Sequence, residues 1–126
     1  MAALYISEDD VRSLMDMEKS ILITHKVFKE IASGRVMNAP RQRVRAPGVM
    51  LHTMSAANEY LNYVGWKAYT TTKESARFHV AIYDQESGEM RALIEADFLG
   101  QLRTGAASAV ATEFMARPDS KVVGLF

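Results

Sequence analysis

The chain has 126 residues, in which 15 Lys and Arg balance 15 Asp and Glu, 48% are hydrophobic, 24% are charged and cysteine is absent. That profile suits one folded domain and excludes intrinsic disorder, a disulfide scaffold, thiol catalysis and cysteine-based zinc sites. Zero formal net charge removes the long-range attraction that nucleic acid or an anionic membrane exerts on a basic protein, so neither is expected as a partner.

The amino terminus, Ala2-Ala3-Leu4-Tyr5-Ile6 before Glu8-Asp9-Asp10, lacks the basic lead and long apolar run of a secretion signal. No apolar run approaches the ~18 residues of a membrane span. A cytoplasmic location is the expectation. Leu4-Tyr5-Ile6 reads as a short strand, and Ser7 as the N-cap of an acidic first turn whose apolar stripe is Val11, Leu14 and Met15. A second helix is predicted over 17–33, with Ile21, Ile23, Thr24, Val27, Phe28 and Ile31 near the helical period and Gly34 as its stop. From 36 to 96 the period falls to two, as strands require.

Arg41, Arg43 and Arg45 then share one face of an extended segment before Pro47-Gly48 turns the chain. Residues 49–54 are a further strand, and Trp66 and Lys67 fall on opposite faces of another. A hairpin follows, 78–83 and 90–94 about the polar turn Asp84-Gln85-Glu86-Ser87-Gly88. Asp97 is placed to cap a helix over 97–116 with Leu99, Leu102, Ala106, Val110 and Phe114 on one stripe. Pro118 and Asp119 end it, and 121–126 reads as the start of a buried strand, which predicts that the chain is the first part of a longer protein.

Among chemistry-bearing residues, His25, His52 and His79 lack the close spacing of a metal site, so they read as surface or satisfied core histidines and no metal is expected. The arginine row suits a carboxylate or phosphate, because guanidinium offers planar paired donors, and equally suits the charged edge of a sheet. Lys67 is an anion anchor or a solvated strand lysine. Arg103-Thr104-Gly105-Ala106-Ala107-Ser108 interrupts an otherwise bulky helix with small residues; close helix packing explains the glycine and alanines, while the donors of Arg103 and Thr104 suit a phosphate. Glu86, Glu89 and Glu95 offer carboxylates without a fixed catalytic pairing. These residues alone describe an α+β piece with an anion site.

The stretch 92–108, Ala-Leu-Ile-Glu-Ala-Asp-Phe-Leu-Gly-Gln-Leu-Arg-Thr-Gly-Ala-Ala-Ser, with Ala111-Thr112 and Ala116-Arg117-Pro118-Asp119, resembles the ornithine cyclodeaminase and mu-crystallin family. Glu95-Ala96 stands where many members have Asp-Gly. The resemblance implies an α+β substrate and dimerisation domain, a small mixed and mostly antiparallel sheet flanked by helices, over 1–119. Residues 120–126 would then be the first strand of a Rossmann domain that binds NAD or NADP and lies beyond this chain. It implies that Arg41 (or Arg43, two positions on) and Lys67 hold a substrate carboxylate, and that Arg103, Thr104 and Ser75 contact the dinucleotide. The family's acid/base aspartate would belong to the Rossmann domain, so no catalytic residue is expected here and this chain alone is expected to be inactive. The implied activity is conversion of ornithine to proline and ammonia through hydride transfer and an imine. Alanine dehydrogenase or ketimine reductase chemistry, and a non-catalytic small-molecule binding role, are the alternatives. The implied partners are a small amino-acid or cyclic imine substrate and a second copy of the chain.

Overall fold

In the computed structural model, which describes residues 2–124, the elements run β1 (Leu4–Ile6), α1 (Glu8–Leu14), α2 (Met17–Ala32), β2 (Val36–Asn38), β3 (Gln42–Ala46), β4 (Val49–Asn58), a 3-10 turn (Glu59–Leu61), β5 (Tyr63–Thr71), β6 (Ala76–Asp84), β7 (Met90–Glu95) and α3 (Asp97–Met115). The strands form one seven-stranded sheet in the order β1-β7-β6-β5-β4-β2, with β3 beside β4. Strand β1 runs parallel to β7 and the other pairings are antiparallel. The α+β architecture of a mixed, mostly antiparallel sheet with helices is therefore as expected.

Local chemistry accounts for the turns. Between β3 and β4, Pro47 presets its own φ and Gly48 supplies the positive φ of +80° that the next turn position needs. Between β6 and β7 the Asp84 carboxylate accepts from the Ser87 amide at 2.9 Å and from Arg91 at 3.1 Å. The Ser87 amide first, and Arg91 with the Ser87 hydroxyl after it, hold that carboxyl down at about 2. In β5, Gly65 lies so close to β6 that an added Cβ would meet the Ala81 carbonyl oxygen at 2.5 Å.

Two helix N-termini are tied to each other. Ser7 caps α1 as expected, its Oγ accepting from the Asp10 amide at 3.3 Å while the Asp10 carboxylate accepts from the Ser7 amide at 2.9 Å. Glu95, at the end of β7, also accepts from the first amide of α1, Glu8, at 2.8 Å and from the Tyr5 hydroxyl at 2.7 Å. The Glu8 side chain in turn accepts from the first amides of α3, Asp97 at 2.5 Å and Phe98 at 3.2 Å. The expected Asp97 cap is thus corrected. Ala96 holds the cap position without a side chain to serve it, Glu8 fills the vacancy, and Asp97 instead accepts from the Phe78 amide at 2.7 Å and pairs with Arg77 at 3.1 Å.

Burial departs from the predicted stripes where helices meet closely. Helix α2 packs on α3 and buries Thr24 of the predicted stripe together with Ser20 outside it, while Ile23 of the stripe is exposed, as is Leu22. A Cβ on Gly105 would meet the Met17 Cε at 2.8 Å, and Ala106 is fully buried, so the small residues of α3 are explained by this approach. Leu102 and Val110 are buried as predicted, whereas Phe114 is 68% exposed and stacks on His25 at 5.5 Å. In α1 only Val11 is buried. The strand expected over 121–126 is not formed over 121–124, where the chain has no ladder partner among the described residues and Val122 and Val123 are exposed; 125 and 126 lie outside them. Among the described residues, no helix is long and apolar enough to cross a membrane.

The reciprocal caps make a testable claim. Replacing Glu8 by Ala leaves the first amides of α3 unserved, and urea unfolding should show a loss of about 1 kcal/mol; an unchanged midpoint would contradict the assignment. The Tyr5 hydroxyl and then the Glu8 amide hold the Glu95 carboxyl below its ordinary 4.5. A depressed carboxyl contributes stability that is present above its unfolded value and lost as pH falls through the folded one. The Glu95→Gln variant should therefore flatten the acid limb of the stability profile below pH 4.5.

Candidate functional site

The site begins with the alternation of β5, which puts Lys67 and Tyr69 on one face and Trp66 on the other. Strand register then extends that face sideways: Arg43 lies across from His52, His52 from Tyr69, and Tyr69 from Phe78. The row places three rings side by side, His52 on Tyr69 at 4.3 Å between centroids and 1° between planes, and Tyr69 on Phe78 at 4.5 Å and 18°. His52 and Tyr69 are both buried.

Two cations converge on this aromatic floor. The Arg41 guanidinium carbon lies 5.7 Å from the Tyr69 ring centroid, and Lys67 Nζ lies 5.6 Å from the same ring and 5.8 Å from Phe78. Arg41 precedes β3 by one residue, and it is Arg41 rather than Arg43 that reaches Tyr69; Arg43 sits across from His52. Burial pushes the Lys67 amine below its ordinary value, and Arg41 and then Arg103 push it further, which brings Arg103 of α3 into the electrostatics of the same cluster. Among the described residues Arg41, Arg43, Lys67 and Arg103 have no ion-pair partner. A half-buried amine beside two guanidinium groups, over ring faces of partial negative charge, is stabilised by an anion that accepts from several of them at once.

The other expected site residues stand apart from that convergence. Thr104 is on α3 next to Arg103, but its hydroxyl donates to the Gly100 carbonyl at 2.9 Å, so the free donor expected there is engaged within the helix. Ser75 lies in the turn between β5 and β6, its Oγ 3.3 Å from Thr72 Oγ1 and its amide donating to that oxygen at 3.1 Å. Three residues of the floor escaped the sequence reading. Nothing in the sequence singles out Tyr69 or Phe78 among the strand residues, and His52 has no neighbour at metal-site spacing. The available signal was that Tyr69 shares its face with Lys67 two residues earlier. On the opposite face, Trp66 donates to the Tyr83 hydroxyl at 3.2 Å and lines an open groove of about 370 Å³ with Ala39, Gln42, Thr53 and Ala68, a lining without charged side chains. Among the described residues no cluster of His, Asp or Glu could hold a metal ion.

The sequence profile of the ornithine cyclodeaminase/mu-crystallin family matches residues 2–126. The chain belongs to that family. A Δ1-pyrroline-2-carboxylate reductase of Bacillus cereus (strain ATCC 10987 / NRS 248) is 29% identical over 129 residues, covering 95% of this chain and 40% of the reductase. The chain thus spans well under half the length of that relative. Among solved structures of family type, the Δ1-pyrroline-2-carboxylate reductase of Thermococcus litoralis, in complex with NADH and L-proline, superposes with a TM-score of 0.88 at 28% identity, covering 94% of this chain and 39% of that one. A probable ornithine cyclodeaminase from Bordetella pertussis Tohama I superposes with a TM-score of 0.87 at 27% identity, covering 93% and 38%.

The depressed amine gives the site a direct test. Binding of a carboxylate beside Lys67 offsets the repulsion from Arg41 and Arg103, so the Lys67 titration, followed by NMR of its Cε and Nζ, should move upward when L-proline is added. A titration that stays in place at saturating L-proline would remove Lys67 from the site.

Proposed function

We propose that the full-length protein is an NAD(P)-dependent oxidoreductase acting on a small α-amino or cyclic imino acid, and that this chain provides its carboxylate site. The observation that carries the reading is the convergence of Arg41 and Lys67, without an ion-pair partner among the described residues, over the buried Tyr69 ring. Arg41 offers the carboxylate two parallel donors and Lys67 a third, and the rings beneath form a dry floor that fixes the plane of the ligand. Reduction of a five-membered cyclic imine carboxylate such as Δ1-pyrroline-2-carboxylate is the favoured reaction. A diamino acid such as ornithine would carry a second positive charge toward Arg41, Arg43, Lys67 and Arg103, and an uncharged ring avoids that repulsion.

Arg103, exposed, without an ion-pair partner among the described residues and beside the small residues of α3, fits a dinucleotide phosphate. Ser75 is assigned to the dinucleotide through its hydroxyl, whereas the Thr104 hydroxyl, which donates to the Gly100 carbonyl, is not. When bound, the nicotinamide supplies a hydride to the α-carbon of the C=N group, and a proton added at nitrogen completes the amine. The residues of this chain hold the carboxylate so that the α-carbon is presented at reactive distance. The acid/base group is assigned to a Rossmann domain beginning near residue 120. The uncharged groove around Trp66 supports a homodimer built on that face; sedimentation of the full-length protein should find two copies, and a single copy would overturn this point.

The deciding assay follows nicotinamide absorbance of the full-length protein with Δ1-pyrroline-2-carboxylate, pyruvate plus ammonia, and L-ornithine. Turnover is expected with the cyclic imine, and Arg41→Ala should raise its KM by on the order of a hundredfold through loss of a charge-assisted pair. The 126-residue chain alone should be inactive. Dinucleotide binding without turnover across the panel would replace this reading by a binding role, and preference for ornithine would replace it by cyclodeaminase chemistry.

A further inference from the structure

Among the described residues, His52 is the member of the aromatic row with a buried polar atom left without a partner. Its ring lies flat on Tyr69, its Nε2 is 3.1 Å from Thr71 Oγ1, and its Nδ1 is buried without a hydrogen-bond partner among the described residues. Buried polar atoms are nearly always paired, so an orphan beside a cluster of unpaired cations calls for an explanation. Burial, and after it Arg43 and Arg41, lower the affinity of the ring for a second proton. The imidazole is therefore neutral at ordinary pH, and in the tautomer whose Nε2–H donates to Thr71 Oγ1 the lone pair is on Nδ1.

The composition of the cluster says what that lone pair is for. Arg41, Arg43, Lys67 and Arg103 are donors without acceptor capacity. They satisfy the carboxylate of an amino or imino acid and leave its nitrogen, which carries N–H groups when protonated, without a partner. We propose that His52 Nδ1 accepts a hydrogen bond from the protonated nitrogen of the bound α-amino acid, such as the ring NH2+ of L-proline, which makes His52 a specificity-determining residue. The proposal rests on the carboxylate site described above. Arg43, exposed and directly across from His52, and Arg41 are the cations whose charge acts on the ring, which places His52 beside the groups assigned to the carboxylate.

The test compares L-proline with acetate, which has the carboxylate and lacks the nitrogen, on the full-length protein by calorimetry. His52→Phe keeps the ring stack on Tyr69 and removes both nitrogens. It should weaken L-proline about tenfold, the value of one hydrogen bond, and leave acetate unchanged; His52→Gln, which restores an acceptor, should recover part of the loss. In the wild type, the Nδ1 resonance of His52 should move with L-proline and stay in place with acetate. Unchanged L-proline affinity in His52→Phe, equal losses of both ligands, or an immobile Nδ1 signal would each overturn the role of His52. If neither ligand binds the wild type, or if Arg41→Ala binds both as well as the wild type does, it is the carboxylate site itself that fails.

Discussion

The register that lays His52, Tyr69 and Phe78 side by side across β4, β5 and β6 is the constraint on which the rest of the site depends. Side chains alternate along a strand, so a slip of one residue in either pairing would send a ring to the opposite face and leave Arg41 and Lys67 without a floor. The stack also decides what the cations can do. Lys67 could extend into water, yet its amine stays over two ring faces, where partial negative charge offsets some of the repulsion from the guanidinium groups. What the rings do not offset is the net positive charge, and it is this remainder that the proposed carboxylate would neutralise.

The helices contribute by position. The charge of Arg103 acts on Lys67 from α3, which leaves the sheet after Glu95, and that departure is fixed by the exchange in which Glu95 serves the start of α1 while Glu8 serves the start of α3. The Phe78 amide, bonded to the Asp97 carboxylate, ties the same helix start to the strand that carries the outer ring of the floor. Sheet, cap and site are thus one construction. The close approach of α2 to Gly105 and Ala106 then clamps α3 from outside, which accounts for small residues that composition alone left divided between packing and phosphate binding.

Much of this was legible in the residues. Period-two alternation separated Lys67 from Trp66, the Pro47-Gly48 and Asp84–Gly88 turns marked the hairpins, and Ser7 marked the start of α1. Arg41, Lys67 and Arg103 stand out in the residues as anion-binding candidates, the resemblance gives them roles, and the fold draws the three into one electrostatic neighbourhood. What stayed hidden depends on contacts between distant segments. Glu8 could not be read as the cap of a helix far along the chain, and Asp97, adjacent in sequence, was the natural but mistaken choice. His52 looked solitary because its neighbours Tyr69 and Phe78 come from other strands. Ser20 is buried in α2 although it lies outside the apolar stripe, because close helix packing selects for size before hydrophobicity.

The central claim is that Arg41 and Lys67 together hold a carboxylate above the Tyr69 ring. A crystal structure of the full-length protein with L-proline and an oxidised dinucleotide tests it most directly. The account predicts the carboxylate oxygens within hydrogen-bonding distance of both Arg41 and Lys67, with the proline ring over the aromatic row. A carboxylate bound elsewhere, with Arg41 and Lys67 facing only solvent, would contradict it.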